Sequence, residues 1–366
     1  MVSRLDEFPI HQAPLPVTWA ASSDRNFYDR CYLNAHDRTG DIFVITGLGY
    51  YPNLGTKDAF VLVRRGDEQT AVHLGEAIDD DRLDQRVGAY RIEVLEPLRR
   101  LRLVLEETEG MALDLTWEGS FDVLQEQPHV MRAGSRVTLD AQRFAQVGTW
   151  AGTIAIDGTD IAVTPDRWVG TRDRSWGIRP VGEPEPPGRP ADPPFEGMWW
   201  LYVPMRFDDF AVILIIQEDP SGYRTLNDCT RVWKDGRVEQ LGWPQVRIHY
   251  TPGTRIPTGA SIDCTTPDGK PLHLDVESRL HVPLHVGGGY GGDSDWTHGM
   301  WKGPGFTERR TYDMSDPAVD GRVMFGVIDH VGRATCDGAE GFGLFEHGSI
   351  GRHDPSGFAD FLSLAP

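Results

Sequence analysis

Cysteine is scarce in this 366-residue chain. Its four cysteines are scattered and form no Cys-x-x-Cys pair; they are Cys31, Cys229, Cys264 and Cys336. That spacing excludes both a disulfide scaffold and a zinc ribbon, so we expect free thiols. Free thiols are typical of a reducing compartment, and the sequence therefore predicts a cytoplasmic protein.

Basic residues are also in deficit, at 36 against 55 acidic residues, for a net charge of -19. A field of this sign repels phosphate backbones and anionic lipids, so we expect no nucleic-acid partner. Residues 1–19 lack the basic start and apolar core of a signal peptide. The longest apolar run, Phe210 to Ile216, is far too short to span a bilayer, which predicts no membrane span.

Helical periodicity is absent as well, and the best helix candidate is the short segment Tyr312–Ala318. Strand patterns recur instead, such as the alternation of Leu101–Glu106 and the β-branched residues of Asp41–Thr46. Asp-Gly pairs between these runs favour tight hairpins. The fold class is therefore all-β, and so many antiparallel strands are best accommodated in closed barrels.

A proline-rich stretch divides the chain almost in half. It predicts a domain at residues 1–180, a linker at 181–195 and a second domain at 196–366. A faint internal repeat agrees with this division, because the pattern Gly-x-x-Leu-x-Leu-x-x-Glu begins at both Gly110 and Gly269. We interpret the repeat as a sign of a duplicated antiparallel barrel.

The segment Val169–Pro180 holds the densest set of functional side chains. In an extended strand, Arg172, Arg174 and Trp176 face one way, while Asp173 and Ser175 face the other. Arginine beside an aromatic ring can hold an anion or a polarised oxygen, and Asp173 between two arginines would be strongly ionised. The alternative is a structural Arg–Asp network that ties the two domains together.

The stretch Arg172-Asp173-x-Ser175-Trp176-Gly177, followed by the Trp/Tyr-rich strand Met198–Val203, resembles a known family. It is similar to the two-domain lipocalin-like proteins related to carotenoid hydratase (hydroxyneurosporene synthase) and to AttH-type proteins. Three further segments fit the same family: Phe27–Arg30, Gly47–Asn53 and Gly341–Glu346.

This resemblance implies two lipocalin-like, calycin-type barrels in tandem. It also implies an acid-driven hydration, isomerisation or cyclisation of a hydrophobic isoprenoid- or polyketide-like molecule. In the hydratases, a histidine in the tryptophan motif and an aspartate after a tyrosine of the next strand are implicated. Here the histidine position is Arg174, and Tyr202 is followed by Val203 and Pro204.

Two sets of site residues follow from the motif and the resemblance. The arginines would polarise an oxygen, a carboxyl group would move a proton and aromatic side chains would shape the pocket. The catalytic candidates are Asp173, Arg172, Arg174, Tyr202 and Glu346. The ligand-binding candidates are Trp176, Trp199, Trp200, Tyr50, Tyr51 and Asn53, although a strand end and turn explain the last three equally well.

Adjacent residues on a strand point to opposite faces. Only one of Trp199 and Trp200 is therefore expected to line a barrel. The same reasoning applies to the neighbours Glu346 and His347, and to Asp329 and His330, so we do not expect either pair to form one acid–base unit.

No metal or cofactor is expected. His281 and His285 would need a third ligand from His273 or Asp293, with Pro283 interrupting the strand between them. The glycine-rich segment Gly287–Gly292 lacks the lysine and the helix of a phosphate-binding loop, so it is predicted to be a loop at a barrel mouth.

Three functions remain open on the sequence. The first is a cofactor-independent enzyme, a lyase or an isomerase, with a hydrophobic small-molecule substrate such as a terpenoid. The second is a non-catalytic carrier of a hydrophobic ligand. The third is a role in protein assembly. The sequence leaves open whether the protein is a monomer or a homodimer.

Overall fold

A computed structural model describes residues 2–185 and 194–366, so residues 186–193 of the predicted linker lie outside the described part. The first half of the chain contains 13 strands: β1 (Phe27–His36), β2 (Ile42–Tyr51), β3 (Thr56–Arg65), β4 (Glu68–Ala77), β5 (Gln85–Val87), β6 (Tyr90–Glu96), β7 (Arg100–Thr108), β8 (Met111–Gly119), β9 (Leu124–Gln125), β10 (His129–Ala133), β11 (Arg136–Ile156), β12 (Thr159–Val163) and β13 (Val169–Ile178). The predicted all-β fold is confirmed by this content of strands.

Ten strands follow in the second half: β14 (Gly197–Arg206), β15 (Phe210–Glu218), β16 (Arg224–Trp233), β17 (Val238–Gln240), β18 (Gln245–Tyr250), β19 (Pro257–Thr265), β20 (Pro271–Pro283), β21 (Phe306–Asp313), β22 (Ile328–Cys336) and β23 (Ala339–Gly351). Helical structure in the described residues is confined to the single turn α1 (Pro317–Asp320) and three 3-10 turns. None of these helices is long and apolar enough to cross a membrane.

The strands form two curled antiparallel sheets that share one strand order. In the first sheet the shared part of the order is β4-β3-β2-β1-β13-β11-β8-β7-β6, with β21 beyond β4 and β5 beyond β6. In the second sheet the order is β17-β16-β15-β14-β23-β22-β20-β19-β18. When the nine strands of each run are ranked along their own half of the chain, the two sheets have the same order of ranks. Gly110 and Gly269 lie at equivalent turns before β8 and β20, both with positive φ. The common topology agrees with the duplication predicted from those segments, and it supports tandem lipocalin-like barrels.

Most central strands are buried on both faces because the two sheets stack against each other. On β15, Val212 and Leu214 pack inside the second barrel, whereas Ile213 and Ile215 pack in a layer shared by both sheets. On β3, Val61 faces the interior of the first barrel and the shared layer takes Phe60 and Leu62. Double-sided burial explains the unbroken apolar run at Phe210 to Ile216.

Each half also sends an insertion across to the other half, at the same place in the repeat. Between β8 and β11, the backbone NH of Gln127 donates to Asp228 of β16 at 3.4 Å. Between β20 and β22, strand β21 adds to the free edge of β4 in the first sheet, with Arg309 opposite Val72. The two barrels are therefore joined by reciprocal crossings as well as by stacking.

Candidate functional site

A cavity of about 240 Å³ lies between the two sheets, in the shared layer. Strands β1, β11 and β13 form one wall, strands β14, β15 and β23 form the opposite wall, and the two crossing insertions cover it. The apolar lining consists of Tyr28, Cys31, Tyr32, Met131, Leu139, Ala141, Met198, Trp200, Ile215, Leu284, Tyr290 and Val327. Such a chamber suits a hydrophobic ligand with polar handles.

Both halves of the repeat place a tyrosine and a carboxyl group side by side in this layer. Tyr32 of β1 is the cross-strand neighbour of Asp173 on β13. Tyr202 of β14 is the cross-strand neighbour of Glu346 on β23. Cross-strand neighbours point to the same face, so the two pairs converge on the cavity from opposite sheets.

The second sheet adds another carboxyl group, because Asp329 of β22 is the cross-strand neighbour of Glu346. Burial, and then the charge and hydrogen bond of Glu346, raise the pKa of Asp329 well above its usual range. Two neighbouring buried carboxyl groups cannot both ionise cheaply, so this arrangement favours the protonated form of Asp329.

Hydrogen-bond donors from both sheets orient this carboxyl pair. The Tyr32 hydroxyl donates to Asp329 Oδ2 at 2.5 Å, and Asn34 donates to the Tyr32 hydroxyl at 3.1 Å. On the other side, the indole NH of Trp200 donates to Glu346 Oε1. The Asp329–Glu346 pair thus lies between two hydrogen-bond donors, and Glu346 is the member of the pair that lines the cavity.

On the opposite wall, a buried cation offsets two carboxyl groups. Arg143 donates to Glu126 and lies 4.0 Å from Asp173. Burial raises the pKa of Asp173 and of Glu126, and Arg143 is the largest influence that opposes this rise at each group. The Arg143 guanidinium also stacks 4.3 Å from the centre of the Tyr202 ring. Asp173 therefore resembles a general base more than an acid.

Several buried polar atoms around the cavity have no hydrogen-bond partner among the residues that the structure describes. They are the Tyr202 hydroxyl, Glu126 Oε1, Arg143 Nη2 and His129 Nε2. Burial lowers the pKa of His129 to about 4, so its ring is neutral at physiological pH. Buried polar groups are normally satisfied, and these four atoms together favour a site built to contact a polar ligand or water.

Of the predicted residues, the structure brings four together at the cavity region: Asp173, Tyr202, Trp200 and Glu346. The predicted alternation along β13 separates the arginines from them. Arg174 pairs with Asp29 at 2.9 Å, and Arg172 binds Gln146 at 2.8 Å. Both arginines line a different cavity, inside the first barrel.

The remaining ligand-binding candidates lie elsewhere. Trp176 is 36% exposed, and Trp199 packs inside the second barrel against His353. Tyr50 is in the core of the first barrel, and the Tyr51 hydroxyl donates to Asp58 at 3.1 Å. Asn53 Nδ2 donates to the carbonyls of Ser22 and Asp24, at 2.8 and 2.7 Å, in the turn after β2.

The adjacent acid–histidine pairs face apart, as expected. Glu346 points to the cavity, whereas the ring of its neighbour His347 contacts the Tyr250 hydroxyl at 2.8 Å within the second barrel. Asp329 binds Tyr32, whereas His330 contacts the Ser278 hydroxyl at 2.6 Å.

Sequence reasoning missed the residues that complete the site. Arg143 and Glu126 were not considered, and neither were Asn34 and His129. One signal was available for Arg143, because it is a charged residue within the long strand pattern that precedes the Val169–Pro180 segment. Glu126 offers none, because it lies in an irregular insertion whose position depends on the other half of the chain.

The described residues hold no cluster of three or more His, Cys, Asp or Glu side chains arranged to bind a metal ion. His281 is instead packed near His330 at a centroid distance of 6.0 Å, and His285 binds the carbonyl oxygen of Arg322 at 2.8 Å.

A model for a family of unknown function (DUF8625) matches residues 2–359. The chain belongs to this family. No curated protein matches the sequence.

Two solved structures have a similar architecture. One is the protein assigned as AttH from Nitrosomonas europaea, with 13% identity and a TM-score of 0.55, covering 93% of this chain and 98% of the other. The second is kievitone hydratase from Nectria haematococca, with 12% identity and a TM-score of 0.52, covering 87% and 88%. At these identities the likeness shows a shared fold, which agrees with the resemblance to lipocalin-like proteins at that level.

Proposed function

We propose that this protein is a cofactor-independent enzyme that performs acid–base chemistry on a hydrophobic small molecule in the cavity between the sheets. The reaction class is hydration, isomerisation or cyclisation, and the substrate class is isoprenoid- or polyketide-like. The observation that carries the proposal is the buried cross-strand pair Asp329–Glu346 beside an apolar chamber, where burial and Glu346 raise the pKa of Asp329.

The proton would move from the carboxyl pair to a double bond or a carbonyl oxygen of the substrate. Trp200 and Tyr32 would then stabilise the carboxylate that remains, since both donate hydrogen bonds to the pair. Burial and a second carboxyl group both raise the pKa of Asp329, which favours the protonated form that a general acid requires.

Asp173 would act as the base, and the return of its proton to the Asp329–Glu346 pair through solvent would complete the cycle. In a hydration it would remove a proton from the attacking water, and in an isomerisation it would remove a proton from the substrate carbon skeleton. Its raised pKa makes it a better base than an exposed aspartate, while Arg143 favours its ionised form. The net change is addition of one water molecule in the first case and no change in mass in the second.

The similar fold of kievitone hydratase is compatible with this reaction class. The non-catalytic alternative, a carrier of a hydrophobic ligand, would use the same apolar lining without proton transfer. The proposed chemistry does not use the predicted site residues that lie outside the cavity lining. These are Arg172, Arg174, Trp176, Trp199, Tyr50, Tyr51 and Asn53.

The test is to incubate extract of the source organism with wild type, Glu346→Gln, Asp329→Asn and the control Glu340→Gln, and to follow small molecules by mass spectrometry. Glu340 lies on the same strand as Glu346, but its side chain is 52% exposed and pairs with Arg333. We expect wild type and the control to convert one hydrophobic compound. We expect the two site variants to be about 10²- to 10⁴-fold slower.

Three results separate the alternatives. Conversion that is lost in both site variants supports the acid role of the pair. Conversion that persists in both would disprove it. If no compound is converted, but native mass spectrometry detects one retained unchanged by wild type, the protein is a carrier.

A further inference from the structure

A second cavity, of about 200 Å³, lies inside the first barrel on the face of β13 opposite to the Asp173 side chain. Its walls are mostly apolar and include Leu33, Ile92, Leu101 and Phe144. No step of the proposed reaction uses this cavity. Its most distinctive lining residue is Arg172, whose guanidinium lies 5.5 Å from the centre of the Phe144 ring.

Arg172 is a buried cation without a counter-ion among the described residues. Its side chain is 7% exposed, and its Nε donates to the neutral amide oxygen of Gln146 at 2.8 Å. Its Nη2 is buried and has no hydrogen-bond partner in residues 2–185 and 194–366. Burial lowers the pKa of Arg172 to about 10, and no carboxylate is among the groups that oppose this. A buried charge left unpaired is costly, so its retention calls for a function.

The neighbouring arginine provides a contrast within the same cavity. Arg174 is neutralised by Asp29 at 2.9 Å and also donates to Gln85 at 3.1 Å. The cavity therefore contains one compensated and one uncompensated guanidinium. A guanidinium matches the geometry of a carboxylate, with two parallel hydrogen bonds.

The rim of the cavity is also unusual. Val94 and Leu98, which line the cavity near the β6–β7 turn, are 47% and 51% exposed, and Leu95 beside them is 49% exposed. Apolar side chains at the mouth of a chamber favour entry of an apolar ligand. A dry cavity of about 150 Å³ holds a benzene ring. The space here is therefore sufficient for one ring with a carboxylate.

We propose that the interior of the first barrel is a binding site for a small aromatic or short-chain carboxylic acid. The ligand carboxylate pairs with Arg172 Nη2, and its apolar part packs against Leu33, Ile92 and Phe144. The ligand enters and leaves the cavity beside the β6–β7 turn. This site and the cavity between the sheets lie on opposite faces of β13, and their linings have Cys31 and Asp173 in common.

The experiment is a calorimetric titration of the full-length protein with benzoate and with benzyl alcohol, which has the same ring without the charge. We expect wild type to bind benzoate at least tenfold more tightly than benzyl alcohol. Arg172→Met should weaken benzoate binding at least tenfold and change benzyl alcohol binding by less than about twofold. Glu346→Gln is the matched control in the other cavity, and it should bind both compounds as wild type does.

Two results would overturn the proposal: wild type that does not bind benzoate, or Arg172→Met that binds it with unchanged affinity. Folding of the variant is checked by its melting temperature, which should be at or above that of wild type, because an unpaired buried charge has been removed. If Arg172→Met does not fold, Arg172→Gln is titrated in its place with the same criteria. Loss of benzoate binding with intact conversion of the substrate of the other cavity separates this proposal from the proposed function.

Discussion

The two halves of the molecule present the same tyrosine–carboxyl pair to the cavity, but they surround it with different neighbours. In the first half, the strand beside Asp173 carries Ala145 opposite it and Arg143 two residues earlier. In the second half, the equivalent places beside Glu346 are Asp329 and Val327. One repeat thus places a cation near its carboxyl group, and the other places a second carboxyl group there.

This difference shows how a symmetric scaffold can separate an acid from a base. Burial raises the pKa of Asp173 and of Asp329 alike. The two groups differ in the charge of the neighbouring side chain. Arg143 favours ionisation of Asp173, whereas Glu346 favours protonation of Asp329. Pairs of carboxyl groups whose surroundings push their pKa values apart are typical of acid–base active sites.

The largest expected effect comes from removing the cation. Arg143→Met leaves Glu126, whose side chain is 1% exposed, without its counter-ion. We expect a loss of about 3–5 kcal/mol in the free energy of unfolding, measured with urea. The double variant Arg143→Met/Glu126→Gln should recover most of that loss. A loss below about 1 kcal/mol in the single variant would mean that Arg143 does not compensate these carboxyl groups.

The next effect concerns pH and the carboxyl pair. Because the pKa of Asp329 is raised on folding, its contribution to stability is complete below the unfolded value of 3.8. It is then lost as pH rises through the folded value. Asp329→Asn removes this pH dependence. The free energy of unfolding of the variant should therefore rise relative to that of wild type by about 1.4 kcal/mol per pH unit between the two pKa values. Urea unfolding at several pH values from 4 to 8 measures the gap, and parallel curves would contradict the raised pKa.

The smallest effect compares the two tyrosines directly. Tyr32→Phe removes the hydroxyl that donates to Asp329 and accepts from Asn34, at a cost of about 1.5–3 kcal/mol. Tyr202→Phe removes a buried hydroxyl that has no hydrogen-bond partner in the described part of the chain, so stability should be unchanged or slightly increased. Thermal unfolding of the two variants side by side is sufficient. Equal losses would show that the halves are not different in this respect.

Local patterns were enough to predict the fold class. The alternation at Leu101–Glu106 indicated a half-buried strand, and Leu101, Leu103 and Leu105 do face the core of the first barrel. The helix predicted at Tyr312–Ala318 is present only at its end, where α1 begins at Pro317, whereas Tyr312 belongs to β21 and pairs with Gln69. That pairing is between residues far apart in sequence, so it leaves no local pattern to read.

The candidate site could be predicted only in part, because its contacts also join residues far apart in the sequence. Strand alternation correctly placed Asp173 on the face opposite to Arg172 and Arg174, but it could not show which face meets the other sheet. The partner of Asp329 is Tyr32, almost 300 residues earlier in the chain. Contacts of that kind arise only when two complete sheets stack, and they are therefore invisible to periodicity and spacing.

The crossing of β21 has a consequence for how the protein is made. Strand β4 leaves the ribosome about 230 residues before β21, the strand that covers its edge. At a synthesis rate of roughly 5–20 residues per second, this edge stays open for about 10–50 s on every nascent chain. An open edge that carries Val72 and Leu74 is a template for pairing with other chains. The unpaired edge of β4 is therefore most exposed to pairing with other chains, and most in need of chaperone binding, while the residues between β4 and β21 are being translated.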